Sequence, residues 1–85
     1  MYEIVIKKQA IKVLLRLPKP VSNKFRLAFK DLAINPDSLD YDVGKLVGRE
    51  GYRLRLVGYR AIYPIDRNNM VIQIIKIGSR GDVYK

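Results

Sequence analysis

Two prolines, Pro18 and Pro20, divide the apolar pattern in the N-terminal part of the chain. Residues 8–17 carry apolar side chains three and four positions apart, which predicts a helix that Pro18 ends. A second apolar stripe predicts another helix, beginning near Pro20 and ending before the Asn35-Pro36 pair. Because the link between the two helices is so short, they are expected to form a helical hairpin.

Period-two alternation on both sides of this hairpin predicts strands. An N-terminal strand is expected over residues 2–7, and residues 45–47 fit a short strand or a bend. Three longer strand-like runs follow, over residues 52–57, 59–65 and 70–77. Pro64 lies inside one of these runs and predicts a bulge or an early end to the pairing there, since proline has no N–H to donate.

This order of elements, β-α-α-β-β-β, predicts an α+β fold of two layers in which an antiparallel three-stranded meander follows the hairpin. The helices should cover one face of the sheet and leave the other available for function. A chain of 85 residues is expected to form one domain, residues 1–85. No apolar run approaches the ~18 residues of a membrane span, and the N-terminus lacks a signal-peptide layout, so a cytoplasmic location is expected.

Composition excludes several classes of site. The chain contains no cysteine and no histidine, which argues against disulfides, zinc sites of the usual kind and histidine acid/base chemistry. Its formal net charge is +9, a balance that favours a polyanionic partner. Nucleic acid is the leading candidate, because a membrane-surface role would need the apolar helix faces that the core requires.

The most informative stretch is the predicted hairpin around residues 52–60. Alternation places Arg53 and Arg55 on one face and the apolar residues between them on the other. If Val57-Gly58 is a two-residue turn, Arg55 stands opposite Arg60, an arrangement that costs about 0.2–1 kcal/mol before screening. Three gathered guanidinium groups make sense if a phosphate binds among them, since arginine binds phosphate oxygens in a bidentate manner.

The acidic residues of the chain show a different pattern. Asp37, Asp40 and Asp42 cluster in a predicted loop between the helices and the following strands. Their expected role is structural, as turn and capping residues on a solvated loop.

Several short segments occur in a characteristic order. GYR at residues 58–60, IY at 62–63 and RGDVY at 80–84 follow the leading strand and the helical hairpin. This succession resembles the RelE family of bacterial and archaeal toxins, over residues 2–84. The resemblance implies the RelE-like microbial RNase-type fold and a toxin of a type II toxin–antitoxin system. Such a toxin cleaves mRNA in the ribosomal A site, by attack of a 2′-hydroxyl on the adjacent phosphate, and so inhibits translation.

The resemblance also implies roles for individual residues. Arg60 matches the family's GYR arginine and would clamp the phosphate. Arg80 matches the tail arginine, a candidate for stabilising transition-state charge or assisting the leaving group. Tyr84 matches the terminal tyrosine, which could stack on a base or exchange a proton. These three are the expected catalytic residues.

The chain departs from the family pattern at Arg53 and Arg55, where the best-studied members carry lysines. Arginine practically never loses its proton, so these two residues are expected to contact phosphate, with Lys45 as a further phosphate-binding candidate. The general base is then unidentified, with Tyr84, Glu50 and Lys45 as the remaining candidates. Alternatively, the ribosome supplies most of the positioning and the toxin only stabilises charge.

The expected partners are the ribosome, its mRNA and an acidic RelB-like antitoxin that forms a hetero-oligomer with the toxin and neutralises part of the positive charge. No metal or cofactor is expected, so the enzyme would be a metal-independent endoribonuclease. Two alternatives remain open at this point: a ParE-like inhibitor of DNA gyrase without nuclease activity, and a basic RNA-binding module without chemistry.

Overall fold

The helical hairpin has the predicted form. In the computed structural model, which describes residues 1–38 and 40–79, α1 spans Lys8–Arg16 and α2 spans Lys19–Ile34. Leu17 closes α1 by donating its backbone N–H to Val13 at 3.0 Å. Pro18 is the N-cap of α2, whose first turn also accommodates Pro20 because the first N–H groups of a helix have no partner within it.

The strands form two sheets. They are β1 Glu3–Ile6, β2 Asp42–Lys45, β3 Tyr52–Leu56, β4 Tyr59–Tyr63, β5 Ile65–Asp66, β6 Val71–Ile74 and β7 Lys76–Ser79. One sheet has the order β1-β6-β5 and the other β2-β3-β4-β7. β1 runs parallel to β6, and the remaining strand pairs within the described residues are antiparallel. The predicted α+β fold is confirmed.

The last two predicted strands are each divided. One breaks at Pro64, between β4 and β5, as the missing N–H of proline suggested. The other breaks at Ile75, whose backbone N–H donates to Ile62 O at 3.0 Å across the interruption. Together the four strands β4 to β7 form one irregular hairpin, whose two arms pass from one sheet to the other. The predicted meander therefore continues through both breaks.

The helices cover one face of the four-stranded sheet. From the helices, Ala10, Leu14, Phe25, Ala28 and Leu32 are buried with Leu54, Ala61 and Ile77 of this sheet and with Ile74 of the three-stranded sheet. Gln9 of α1 binds the backbone of Ile77 on the edge strand β7, accepting from its N–H at 3.0 Å and donating to its carbonyl at 3.2 Å. No helix in the described part of the chain is long and apolar enough to cross a bilayer.

Two side-chain contacts hold the segment between α2 and β2. The Tyr41 hydroxyl donates to Asp31 of α2, and this hydrogen bond raises the pKa of Tyr41 to about 12. Arg67, in the turn after β5, forms a bidentate pair with Asp37 at 2.9 and 3.1 Å. The hydrogen bonds from Arg67 hold the pKa of the Asp37 carboxyl below its usual value. These contacts direct the chain into β2, whose first residue is Asp42.

Candidate functional site

The sheet face that points away from the helices carries a concentration of basic side chains. The register of β2, β3, β4 and β7 aligns its residues in two rows: Asp42, Arg55, Arg60, Gly78 and Gly44, Arg53, Ile62, Lys76. We call these two rows the arginine face. Lys76 belongs to it because it pairs with Ile62, a relation between distant segments that the sequence analysis did not detect.

The turn between β3 and β4 produces the predicted register. Val57 and Gly58 have φ angles of 50° and 80°, a pair of positive values typical of the type I′ turn that suits a two-residue hairpin. Arg55 is therefore directly opposite Arg60, and Leu56 opposite Tyr59. This confirms the predicted placement of the arginines on one face.

Arg53 lies across the backbone of the neighbouring strand. A Cβ atom added to Gly44 would stand 2.7 Å from Arg53 Nη2 and 2.9 Å from its Cζ, so the missing side chain of Gly44 makes room for the guanidinium. Arg53 Nη1 is buried and has no hydrogen-bond partner among the described residues. A buried donor of a charged group is costly to leave without a hydrogen bond.

Asp42 brings a carboxylate into the arginine face. Its Oδ1 is 3.6 Å from Arg53 Nη1 and its Oδ2 is 3.9 Å from Arg55 Nη1. The expectation that Asp42 is a turn residue on a solvated loop is wrong, because it begins β2 and pairs with Arg55. Asp37 and Asp40 do lie in the predicted loop.

The segment after β2 borders one end of the arginine face. Leu46 packs with Ile62 and Ile75 in a small apolar cluster. A cavity of about 270 Å³ lies beside Arg53 and is also lined by Arg49, which the sequence analysis did not single out because a loop residue has no periodicity to reveal it.

The other candidate residues lie away from the arginine face or outside the described residues. Lys45 pairs with Tyr52 and so alternates to the opposite face, although at the end of β2 it also lines the cavity beside Arg53. Glu50 lines a different cavity, formed with the segment around Pro64 and Asp66. Arg80 and Tyr84 fall outside the described residues.

The Tyr63 hydroxyl is a buried polar atom on the opposite side of the sheet from the arginines. It has no hydrogen-bond partner among the described residues, and burial raises the pKa of this phenol well above its ordinary value. Its ring stacks on Tyr52, with centroids 6.1 Å apart. We infer a packing role for Tyr63, since a phenol of this kind stays protonated and points into the core.

The arginine face is suited to bind an anion with several oxygens. Guanidinium groups on adjacent strands offer donors to more than one phosphate oxygen, while Asp42 is the single carboxylate in the two rows. No group of three or more acidic side chains that could hold a metal ion occurs among residues 1–38 and 40–79.

The sequence matches the profile of a known protein family over nearly its whole length. Residues 4–84 match the profile described as "ParE toxin of type II toxin-antitoxin system, parDE". The chain belongs to this toxin family. The matched segment includes both the arginine face and the C-terminal Arg80 and Tyr84.

Solved structures show the same fold for the toxin. The archaeal RelE–RelB complex from Pyrococcus horikoshii OT3 is 36% identical, with a TM-score of 0.83 over 95% of this chain and 97% of that one. The RelBE toxin–antitoxin complex of E. coli is 22% identical, with a TM-score of 0.79 over 93% and 96% of the chains. The RelB–RelE complex from Methanococcus jannaschii is 19% identical, with a TM-score of 0.77 over 95% of both. No curated protein matches the sequence.

Proposed function

We propose that this toxin is a ribosome-dependent mRNA endoribonuclease that cleaves messages in the A site. The observation that carries the proposal is the placement of Arg53, Arg55 and Arg60 on one sheet face, beside a glycine that leaves room for a guanidinium. A structural neighbour with 36% identity over nearly the whole chain, an archaeal RelE, gives further support.

The proposed reaction is attack of a 2′-hydroxyl on the adjacent phosphate. Arg55 and Arg60 repel each other across the strands, and a phosphate between them reverses that cost by accepting from both. Negative charge grows on the non-bridging oxygens in the transition state, where fixed guanidinium groups stabilise it most. Arg80 would add to this charge stabilisation or assist the leaving group, and Tyr84 would stack on a base or exchange a proton.

The ribosome has a defined part in this proposal. It would hold the message so that the 2′-hydroxyl and the phosphate are aligned, which replaces much of the positioning that a free enzyme must provide. The basic face of the toxin would bind the RNA backbone through salt-sensitive contacts.

Mapping of 5′ ends on programmed ribosomes tests the proposal. A defined message is translated with and without the toxin, and Arg60→Ala serves as the inactive control. We expect codon-aligned cuts that need ribosomes and disappear with the variant. Intact message at high toxin concentration would contradict the nuclease activity.

A gyrase inhibitor is the second candidate, because the matching family profile is that of ParE toxins. It predicts the opposite pattern: stalled DNA breaks when the toxin is added to DNA gyrase and supercoiled DNA, with messages left intact. Running both assays on one preparation separates the two functions.

We further propose that an acidic RelB-like antitoxin binds the groove between α2 and β1. This groove, about 810 Å³ in volume, contains the exposed Leu27 and Ile34 and is flanked by the basic Arg26 and Lys30. Exposed apolar residues of α2 with cations beside them fit an amphipathic acidic segment that becomes ordered on binding. The net charge of +9 favours the same class of partner.

Substitution of Leu27 tests that docking surface. Leu27→Asp places a carboxylate in the groove and should weaken antitoxin binding about tenfold or more, with little change in thermal stability because Leu27 is exposed. Leu15→Asp, at another exposed leucine outside the groove, is the matched control. Equal affinities for the two variants in a titration with the co-encoded antitoxin would contradict this site.

Gly44→Ala tests the path of Arg53 across β2. The new methyl group would collide with the tip of the Arg53 side chain, which can swing away, so we expect normal folding but cleavage reduced by about 10–10²-fold. Single-turnover rates on ribosomes measure the effect. In an Arg53→Ala background the same substitution should cost little, and a full loss there would show that it acts by another route.

A further inference from the structure

The proposed reaction needs a group that accepts the proton of the 2′-hydroxyl. Arginine cannot serve at neutral pH, because its guanidinium does not give up a proton. Of the candidates from the sequence analysis, Lys45 alternates to the opposite face and lines the cavity beside Arg53, while Glu50 lines a cavity on another part of the surface. The third candidate, Tyr84, falls outside the described residues. A carboxylate is nevertheless present in the arginine face, at Asp42.

The position of Asp42 suits a proton acceptor for an RNA bound to the arginines. Cross-strand pairing places it next to Arg55, which in turn pairs with Arg60 on β4. Its distances of 3.6 and 3.9 Å to Arg53 and Arg55 are those of loose ion pairs and leave the carboxylate oxygens available to a further donor. The side chain is 59% exposed, so RNA lying on the face can reach it.

We propose that Asp42 is the general base of the cleavage reaction, an inference that rests on the proposed nuclease function. The Asp42 carboxylate takes the proton from the 2′-hydroxyl as the 2′-oxygen forms its bond to phosphorus. The bond from phosphorus to the 5′-oxygen breaks, and its electron pair leaves with that oxygen, which takes a proton from solvent water. The products are a 2′,3′-cyclic phosphate and a free 5′-hydroxyl, and Asp42 returns its proton to the hydroxide formed.

A purely electrostatic role for Asp42 makes a different prediction. If it served only to separate the arginines, its loss would strengthen phosphate binding and leave the proton transfer unaffected. As a general base, it is needed for the chemical step although its charge opposes RNA binding. Loss of the carboxylate should therefore slow cleavage without weakening RNA binding.

The test compares Asp42→Asn, Asp42→Glu and the control Asp40→Asn, which removes the same charge from the neighbouring loop. Single-turnover cleavage of a ribosome-bound message is followed from pH 6 to 8, together with affinity for programmed ribosomes. For Asp42→Asn we expect a rate lowered by about 10²-fold or more at neutral pH, with equal or tighter binding. Its rate should rise about tenfold per pH unit as hydroxide replaces the base, while Asp42→Glu, which keeps a carboxylate, should recover activity and the pH profile of the wild type.

Two results would overturn the assignment. One is wild-type cleavage by Asp42→Asn. The other is a loss by the same factor at every pH for both Asp42 variants, which would indicate a positioning role. Absence of cleavage by the wild-type toxin itself, with gyrase inhibition present, would overturn the nuclease proposal and the role of Asp42 with it.

Discussion

Replacement of Arg60 by alanine is expected to lower ribosome-dependent cleavage by about 10²–10³-fold, the usual effect of removing one donor to a developing oxyanion. Arg60 stands in the row of Asp42 and Arg55, where a phosphate bridging the two strands would contact both guanidinium groups. The rate of the chemical step, measured with saturating toxin, should fall much more than the affinity for programmed ribosomes.

Two further variants make this expectation specific. Arg60→Lys keeps the charge but loses the planar fork of donors, so it should recover a minor part of the rate. Arg16→Ala removes one positive charge from an exposed position on α1 and should cleave like the wild type. If Arg60→Ala remained within threefold of the wild-type rate, the phosphate-clamp role would be excluded.

Among the substitutions proposed for this protein, Leu54→Ala should lower the free energy of unfolding most. Leu54 lies between two arginines of the functional face, but its side chain points to the other side of β3 and is fully buried against the helices. Truncation of a buried leucine costs about 2–5 kcal/mol of unfolding free energy. In a domain of this size each kcal/mol corresponds to about 4–8 °C in Tm. Thermal unfolding followed by circular dichroism measures it directly.

The adjacent Arg55 provides the matched control. Its side chain is 45% exposed and faces another arginine, so Arg55→Ala should change the unfolding free energy by no more than about 0.5 kcal/mol. A similar loss of Tm for Leu54→Ala and Arg55→Ala would contradict the alternation of β3. The two variants together therefore test the register of β3 and the assignment of one sheet face to the core and the other to function.

The helical hairpin and the turn at Val57-Gly58 could be predicted because both depend on local chemistry. Proline ends a helix through its own ring and missing N–H, and glycine accepts a positive φ angle without a side-chain clash. Once that turn is placed, period-two alternation leads directly to Arg55 opposite Arg60.

Asp42 could not be placed in the same way. Its partner Arg55 lies on β3, and an irregular segment separates β3 from β2. Aspartate favours loops, and this preference outweighed the short strand pattern that begins at Asp42. Gly44 and Lys76 were missed for a related reason, since each acquires its position in the site from pairing with another strand.

The sequence by itself determined the helical hairpin, the β3–β4 turn and the side of β3 on which the arginines lie, because propensity, turn geometry and alternation act over a few residues. The tertiary structure alone decided the parallel pairing of β1 with β6, the break of the last predicted strand at Ile75, and the position of Asp42 in the arginine face. These features depend on which distant strands pair and in which register. That choice minimises the free energy of the whole sheet and its core, which no single segment specifies.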